Sequence, residues 1–346
     1  MNTIPTQQPG LFDYESRLKK LERGPDPLAR LNARIDWKIF RQDLERAVET
    51  EARGPGGRPR HDVVRMFKVL VRQRYDNLSD EQTEYQINDR LSFQKFLGLT
   101  LSDSVPDQNT IGVFREVLIQ RGQVNKLFRR FETHLNDAGL MGHEGKMIDA
   151  SFVDVPRQSN SREENEEIKQ GKVPESFQQN ENRLEQNDVA ARWAKKGEEV
   201  HDGYKHHVKA DRTTKLIEDY NVTDASVHAS QAVEDLVEAD DGIVYADSAY
   251  TGDAIEAILE EHGVMGEICE KGYRNHPLTK AQKKRNRKKS TIRVRVEHIF
   301  GFMTNTMNDG LNMRGIGMPR VTAGIGRLNL VYNLARYEQI QRLKLA

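Results

Sequence analysis

Asp149 in GKMIDAS, Asp247 in IVYADSAY and Glu297 in RVRVEHIFGF are the side chains with the clearest capacity for chemistry. The two aspartates follow apolar, strand-like runs, and the glutamate follows the basic run KKRNRKK (283–289). Two strand-end aspartates and a helix-borne glutamate can hold a pair of Mg²⁺ ions, hard cations that take oxygen ligands. Two such ions can drive phosphodiester cleavage and joining. Asp149 stands behind Met147 and Ile148, where an aspartate disfavours β structure and is costly if buried unpaired. Asp247 ends the run Ile243-Val-Tyr-Ala, at the carboxyl end where α/β sheets place ligands. Spacing alone leaves a second reading open, in which both aspartates are turn or cap residues.

Cations lie close to these acids. Between positions 280 and 295 the chain has nine lysines and arginines (280, 283, 284, 285, 287, 288, 289, 293 and 295) and no acid. Lys283, Lys284, Arg285, Arg287, Lys288 and Lys289 are candidate contacts to DNA phosphates. Arg293 precedes Glu297 by four residues and shares its face on a helix. His206 and His207 are adjacent, so on a strand they point to opposite faces. Neither they nor His201 fits a zinc pattern, and a solvated or DNA-facing role is expected. His298 either binds the scissile phosphate or lies exposed. The glycine-rich MRGIGMPRVTAGIG (313–326) lacks the Lys-Ser/Thr of a P-loop.

These residues need elements to position them. LARLNARIDWKIFRQDLERAVE, from Leu28, has helical spacing, and GPGGRPR (54–60) reads as a linker. From His61 to about Met141 the pattern is helical, with Ser79 capping one helix that Gly98 ends. A second helix begins near 104–107 and stops at Gly122, carrying Gln108, Asn109, Thr110 and Arg115. The pair fits a helix-turn-helix with Asn109 and Arg115 toward DNA, or a plain bundle. Strands are expected at 146–155, 204–211, 215–223, in GIVYAD and in MGEICE, with helices at HASQAVEDLVEAD and DAIEAILEEHG. Strands followed by strand–helix alternation indicate an α/β domain with a mixed sheet. The stripe Ile292, Val296, Ile299, Met303 favours one helix continuing to Met307, and the C-terminal RLNLVYNLARYEQIQRLK reads as an amphipathic helix.

Residues 1–60 therefore read as an arm and linker, 61–142 as a helical DNA-binding domain and 143–346 as a catalytic domain. Residues 156–203, polar and too long for an ordinary loop, read as a partly helical insertion or a flexible flap.

Composition narrows the class. Charged residues make up 31% of the 346-residue chain, formal net charge is zero and mean hydropathy is −0.76. The basic segment 280–295 against an acid-rich 161–188 suits a protein that holds DNA along one surface. A single cysteine, Cys269, excludes a disulfide framework. The N-terminal MNTIPTQQPGLFDYESR lacks the basic and apolar regions of a signal peptide, and no apolar run approaches a membrane span. A cytoplasmic, nucleoid-associated protein is expected.

Taken in order, the motifs resemble the DDE transposases of bacterial insertion sequences, of the IS-five group. LSDEQTEYQINDRLSFQKFLGL and PDQNTIGVFREVL are similar to that group's helical region. GKMIDAS, ARWAKKGEEVHDGYKHHVKAD, VTDASVHASQ, VYADSAYTG and VEHIFGFM are similar to its catalytic region, so the resemblance spans about residues 57–337. It implies a ribonuclease-H-like catalytic domain behind an all-helical N-terminal domain, with Asp149, Asp247 and Glu297 as the metal-binding triad. It implies magnesium as a two-ion cofactor with manganese able to substitute, double-stranded DNA as partner, at both terminal inverted repeats and target, and a homodimer. Arg293 matches the arginine expected near the glutamate, whereas Ser290 and Thr304 stand where the family shows Tyr and Lys. The alternative is a catalytically silent, sequence-specific DNA-binding regulator of transposase descent.

Overall fold

The structure is a computed structural model that describes residues 10, 12–23, 26–49, 60–100, 102–142, 144–156, 158–196 and 198–345. Apart from Arg60, the linker 54–60 lies outside the described residues. Among the described residues eight α-helices precede the first strand: α1 (Asp13–Arg23), α2 (Pro27–Arg34), α3 (Arg41–Val48), α4 (Val63–Tyr75), α5 (Asp80–Asp89), α6 (Leu91–Leu97), α7 (Gln108–Gln120) and α8 (Gln123–Asp137).

Their ends follow local chemistry. The Ser79 hydroxyl accepts from Gln82 N while the Gln82 side chain accepts from Ser79 N, so donors that α5 would orphan are satisfied. The expected long helix from Leu28 is cut at Ile35–Asp36, because Asp36 turns its carboxylate onto Lys38 N and starts a 3₁₀ turn at Trp37–Phe40. The expected helix from Ser79 to Gly98 is likewise two, divided at Arg90, and residues 98–107 separate α6 from α7. That connection is too long for the short-turn helix-turn-helix expected from sequence.

The sheet is built from β1 (Lys146–Asp154), β2 (Arg192–Lys196), β3 (Glu199–Asp211), β4 (Ile217–Asp224), β5 (Ile243–Ala246) and β6 (Met265–Ile268). β3 pairs antiparallel with β1 along one edge, and with β2 and then β4 along the other. β5 lies parallel to β1 and β6 parallel to β5, giving the order β2-β3-β1-β5-β6. Antiparallel strands leading into parallel ones make the mixed, ribonuclease-H-like sheet that the sequence implied. Gly203, at φ +146, faces the Val153 carbonyl so closely that any Cβ would collide with it.

Both sheet faces are covered. Met147, Val153, Tyr204, Val208 and Ala210 join a core with Phe40, Leu70, Phe128 and Phe131 of the N-terminal helices. Ile148, Val244 and Ala246 face the opposite way onto Tyr250, Ile255 and Leu259. The last two belong to α12 (Asp253–Glu261). The expected helix at HASQAVEDLVEAD shrinks to a 3₁₀ turn, Ala229–Ala232, capped by His228. The segment after β1 holds α9 (Arg162–Lys169), α10 (Glu175–Gln178), α11 (Glu181–Gln186) and β2. It is pinned rather than a loose flap: buried Asp188 accepts hydrogen bonds from Tyr204 Oη at 2.7 Å and Gly317 N at 2.9 Å.

Past β6 come α13 (Lys280–Arg293), α14 (Glu297–Gly301) and α15 (Met318–Leu343). α15 packs on α2, α4, α8 and β4. Its buried Asn333 takes Ile217 N at 2.9 Å and gives to Ile217 O at 2.7 Å, finishing the outer edge of β4. Residues 26–49 join the same core through Leu28, Trp37, Phe40 and Leu44. Among the described residues no helix is long and apolar enough to cross a membrane.

Candidate active site

Strand register brings the two aspartates together. Lys146 pairs with Val244 and Met147 with Tyr245 in the parallel β1–β5 ladder. Two further steps set Asp149 beside Asp247, on strands about 4.8 Å apart. With a side-chain period of two, Asp149 shares the face of Met147 and Asp247 that of Tyr245, both in the helix-side core. The Asp149 side chain is 17% exposed, and its Oδ1 takes Ala150 N at 2.8 Å. Asp247 stands just past β5, accepting Ala249 N at 2.8 Å across a short 3₁₀ turn. It is thus a cap and a sheet-end carboxylate together.

Glu297 arrives from the other side. The helix expected through Met307 is interrupted: α13 stops at Arg293, residues 294–296 form a turn, α14 starts at Glu297, and Phe302–Thr306 widens into a π turn. Across this break the backbone bonds tighten to i→i−3, Val296 N to Arg293 O and Glu297 N to Val294 O, and Val296 is fully buried just before the glutamate. Arg293 and Glu297 still meet at i,i+4, with Nη2 to Oε1 at 2.9 Å. The other arm of Arg293, Nη1, reaches Asp149 Oδ2 at 3.1 Å. One guanidinium therefore clamps a strand carboxylate to a helix carboxylate. Glu297 is 54% exposed, so the clamp opens to solvent on its helix side.

The Tyr250 hydroxyl is buried without a hydrogen-bond partner among the described residues. Burial, reinforced by the charges of Asp149 and Asp247, pushes its ionisation well above the usual tyrosine range. It remains an O–H donor beside the two carboxylates. Oxygen donors from three carboxylates, with an orphaned hydroxyl alongside, are a donor set suited to hard divalent cations. The three carboxylates do not form the tightest acidic cluster. That is Glu238, Asp240 and Asp241, whose oxygens come within 4.8 Å of one another. The Lys209 ammonium already fills it, at 2.5 Å from Glu238 and 3.1 Å from Asp241. Neither this buried lysine nor its partners were legible as a pair in sequence, because residues 29 and 32 positions apart give no periodic signal.

α13 divides its cations between two faces. Arg285 binds Glu270 at 2.7 Å, Lys289 binds Glu267 at 3.2 Å and Ile268 O at 2.9 Å, and Arg293 holds the acids. These three lie on one i,i+4 stripe toward β6 and β1. Lys283, Lys284, Arg287 and Lys288 are exposed on the opposite arc, and no residue of α13 is buried.

Other expected site residues lie elsewhere. Arg115 is tied to Asp80 between α7 and α5, with Nη2 to Oδ2 at 2.8 Å. Asn109 is exposed at the start of α7. His206 and His207 do face opposite sides of β3, but both sides are covered and both rings are fully buried, so neither is solvated as expected. His206 sits edge-on to Phe300 and Tyr220, and His207 Nε2 pairs with Thr223 Oγ1 at 2.9 Å. His201 stacks on Phe152 with centroids 4.0 Å apart. His298 Nδ1 pairs with Lys215 Nζ at 2.6 Å. Thr304 spends its hydroxyl on the Phe300 carbonyl, and Ser290 Oγ lies 3.7 Å from Cys269 Sγ.

Comparison with known proteins gives the family. Residues 141–334 match the family model described as the transposase DDE domain. The chain belongs to the DDE transposases. A second model, described as a transposase domain (DUF772), matches residues 16–117, the N-terminal helices of this DDE transposase. Among solved structures the chain is similar to the piggyBac transposase synaptic complex with hairpin DNA, studied by cryo-electron microscopy. That similarity has a TM-score of 0.45 and 10% identity over 94% of this chain and 77% of that one.

Proposed function

We propose that the protein binds the terminal inverted repeats of its own element, cleaves the element ends, and joins the freed 3′-hydroxyls to target DNA, in the manner expected of the IS-five group. The observation that carries this reading is the clamp: register sets Asp149 beside Asp247, and Arg293 ties Asp149 to Glu297. Asp149, Asp247 and Glu297 are the residues that would hold the divalent ions. Bound there, magnesium or manganese supplies a water or 3′-hydroxyl of lowered pKa and stabilises the departing 3′ oxygen.

The chain's own residues do the rest. Ala150 N fixes one oxygen of Asp149, so the carboxylate presents its other edge. Tyr250 holds a proton beside Asp149 and Asp247 and prevents a third charge there. Arg293 ties Glu297 to Asp149 and so holds the helix carboxylate toward the strand carboxylate. Lys283, Lys284, Arg287 and Lys288 lead a DNA backbone along α13 toward the acids. Cutting two ends in concert favours a homodimer on DNA.

Glu297→Gln keeps shape and removes charge. It should bind labelled element ends as the parent does and lose nicking in Mg²⁺ by at least about three orders of magnitude. Parental nicking by this variant would overturn the triad.

A further inference from the structure

The glycine-rich segment 313–326, which carries no P-loop, lines a cleft of about 430 Å³ between α4, α7 and the start of α15. That volume is in the range of small-ligand sites. Arginines dominate its wall: Arg74, Arg115, Arg314, Arg320 and Arg327. Two are matched, Arg115 by Asp80 and Arg320 by Glu116 at 3.2 and 3.3 Å. Three are not matched by a hydrogen-bonded carboxylate. Buried Arg74 donates to the Gly310 carbonyl, the Met313 sulfur and the Asn77 side chain, and exposed Arg314 donates to Asn77 O at 3.1 Å. The Nε of Arg327 is buried with no hydrogen-bond partner among the described residues, as is that of Arg74. The remaining lining acid, Glu185, is exposed.

Crowded guanidiniums that no carboxylate hydrogen-bonds are costly, and these register the cost even with Asp80 and Glu116 acting on Arg327 and Asp309 on Arg74. Burial, then Arg115 and Arg74, lower Arg327 to about 9, and burial with Arg314 lowers Arg74 to about 10. An anion seated here would relieve both. Guanidinium forks match a phosphate oxygen pair better than a lysine would.

The cleft also has a fixed relation to the triad. Met313 N donates to Asp154 O at 2.9 Å, and Asp154 lies five residues beyond Asp149 on β1, roughly 17 Å along the strand. Its rim therefore contacts the same strand that carries the first aspartate.

We propose that this cleft seats one backbone phosphate of bound DNA, with Arg327 as its floor and Arg314 at its rim. The identity of the anion rests on the transposase reading; the existence of the site does not.

The test uses full-length protein and a labelled duplex of arbitrary sequence, because a backbone contact needs no sequence. Arg327→Gln, Arg327→Lys and Arg314→Gln are titrated with the duplex in Ca²⁺ across a salt series. Expected is about a tenfold loss of affinity for Arg327→Gln and a log K–log salt slope shallower by about one, with Arg327→Lys retaining the slope. Arg314→Gln should lose slope in the same direction, which keeps the test decisive if the buried substitution disturbs folding. Parental affinity and slope in folded Arg327→Gln and Arg314→Gln would overturn the proposal. A thermal shift with inorganic phosphate separates the other source: stabilisation of the parent but not of Arg327→Gln, with duplex binding unchanged, assigns the cleft to a small phosphate compound and also overturns it. Nicking by Glu297→Gln is read separately, so failure of the triad and failure of the cleft are distinguishable.

Discussion

Arg293 reaches Asp149 across 3.1 Å from a different element, 144 residues away in sequence, while its second nitrogen holds Glu297. Arg293→Gln should therefore lower cleavage by about tenfold to a hundredfold, because the glutamate loses its tether. It should also make the protein respond more strongly to Mg²⁺ in a thermal shift, since no guanidinium competes for the carboxylates. An unchanged shift and unchanged nicking would remove Arg293 from the site.

The two faces of α13 should separate by experiment. Changing Lys283, Lys284, Arg287 and Lys288 together to Gln should flatten the salt dependence of duplex binding by roughly 3 to 4 in log–log slope. Stability in urea should stay within about 0.5 kcal/mol, since exposed charges contribute little. Lys289→Ala should do the reverse, because its ammonium is bonded to the Ile268 carbonyl and Glu267.

Acid sensitivity follows from His206. Burial, with His207 behind it, lowers this imidazole to about 3 from an ordinary 6.5, so it is neutral in the fold and gains a proton on unfolding. Its contribution to stability is whole above about pH 6.5 and declines as pH falls toward 3. Urea midpoints between pH 7 and pH 4 should fall less steeply in His206→Phe than in the parent; parallel curves would contradict the assignment.

Gly326 lets α15 touch β4. A Cβ there would strike the Tyr220 hydroxyl and stand 3.0 Å from Val124 Cγ1. Gly326→Ala should cost about 1–3 kcal/mol in chemical denaturation, and Tyr220→Phe in the same chain should recover part of it.

Lys209 and Asp241, with side chains 0% and 1% exposed, form a buried pair. Lys209→Met should destabilise by about 3–5 kcal/mol, because it strands a buried carboxylate. Adding Mg²⁺ should not restore the loss; recovery would mark the acidic cluster as a metal site.

The sheet strands and the terminal helix were legible because their apolar runs and turn residues are local signals. Arg293 with Glu297 was legible for the same reason, being one helical turn apart. What local pattern cannot carry is the other side of each contact. His206 and His207 alternate across β3 as expected, yet only the packing of α15 on one face and the 3₁₀ segments on the other decides that both are dry. The break at Val294–Val296 was hidden because Val296 continues the apolar stripe. The arginine cleft joins α4 and α7 to α15, more than 200 residues further along the chain, and so left no trace in any window.

Leu328, Leu330, Val331 and Leu334 of α15 complete a core begun by Leu28 and Phe40. The N-terminal helices therefore have no finished interior until α15 has left the ribosome. A nascent or prematurely terminated chain presents Leu70, Phe128 and Phe131 to quality control instead of a folded surface to DNA. Synthesis itself thus acts as a checkpoint: only a product that includes α15 acquires the shape that can act on the genome encoding it.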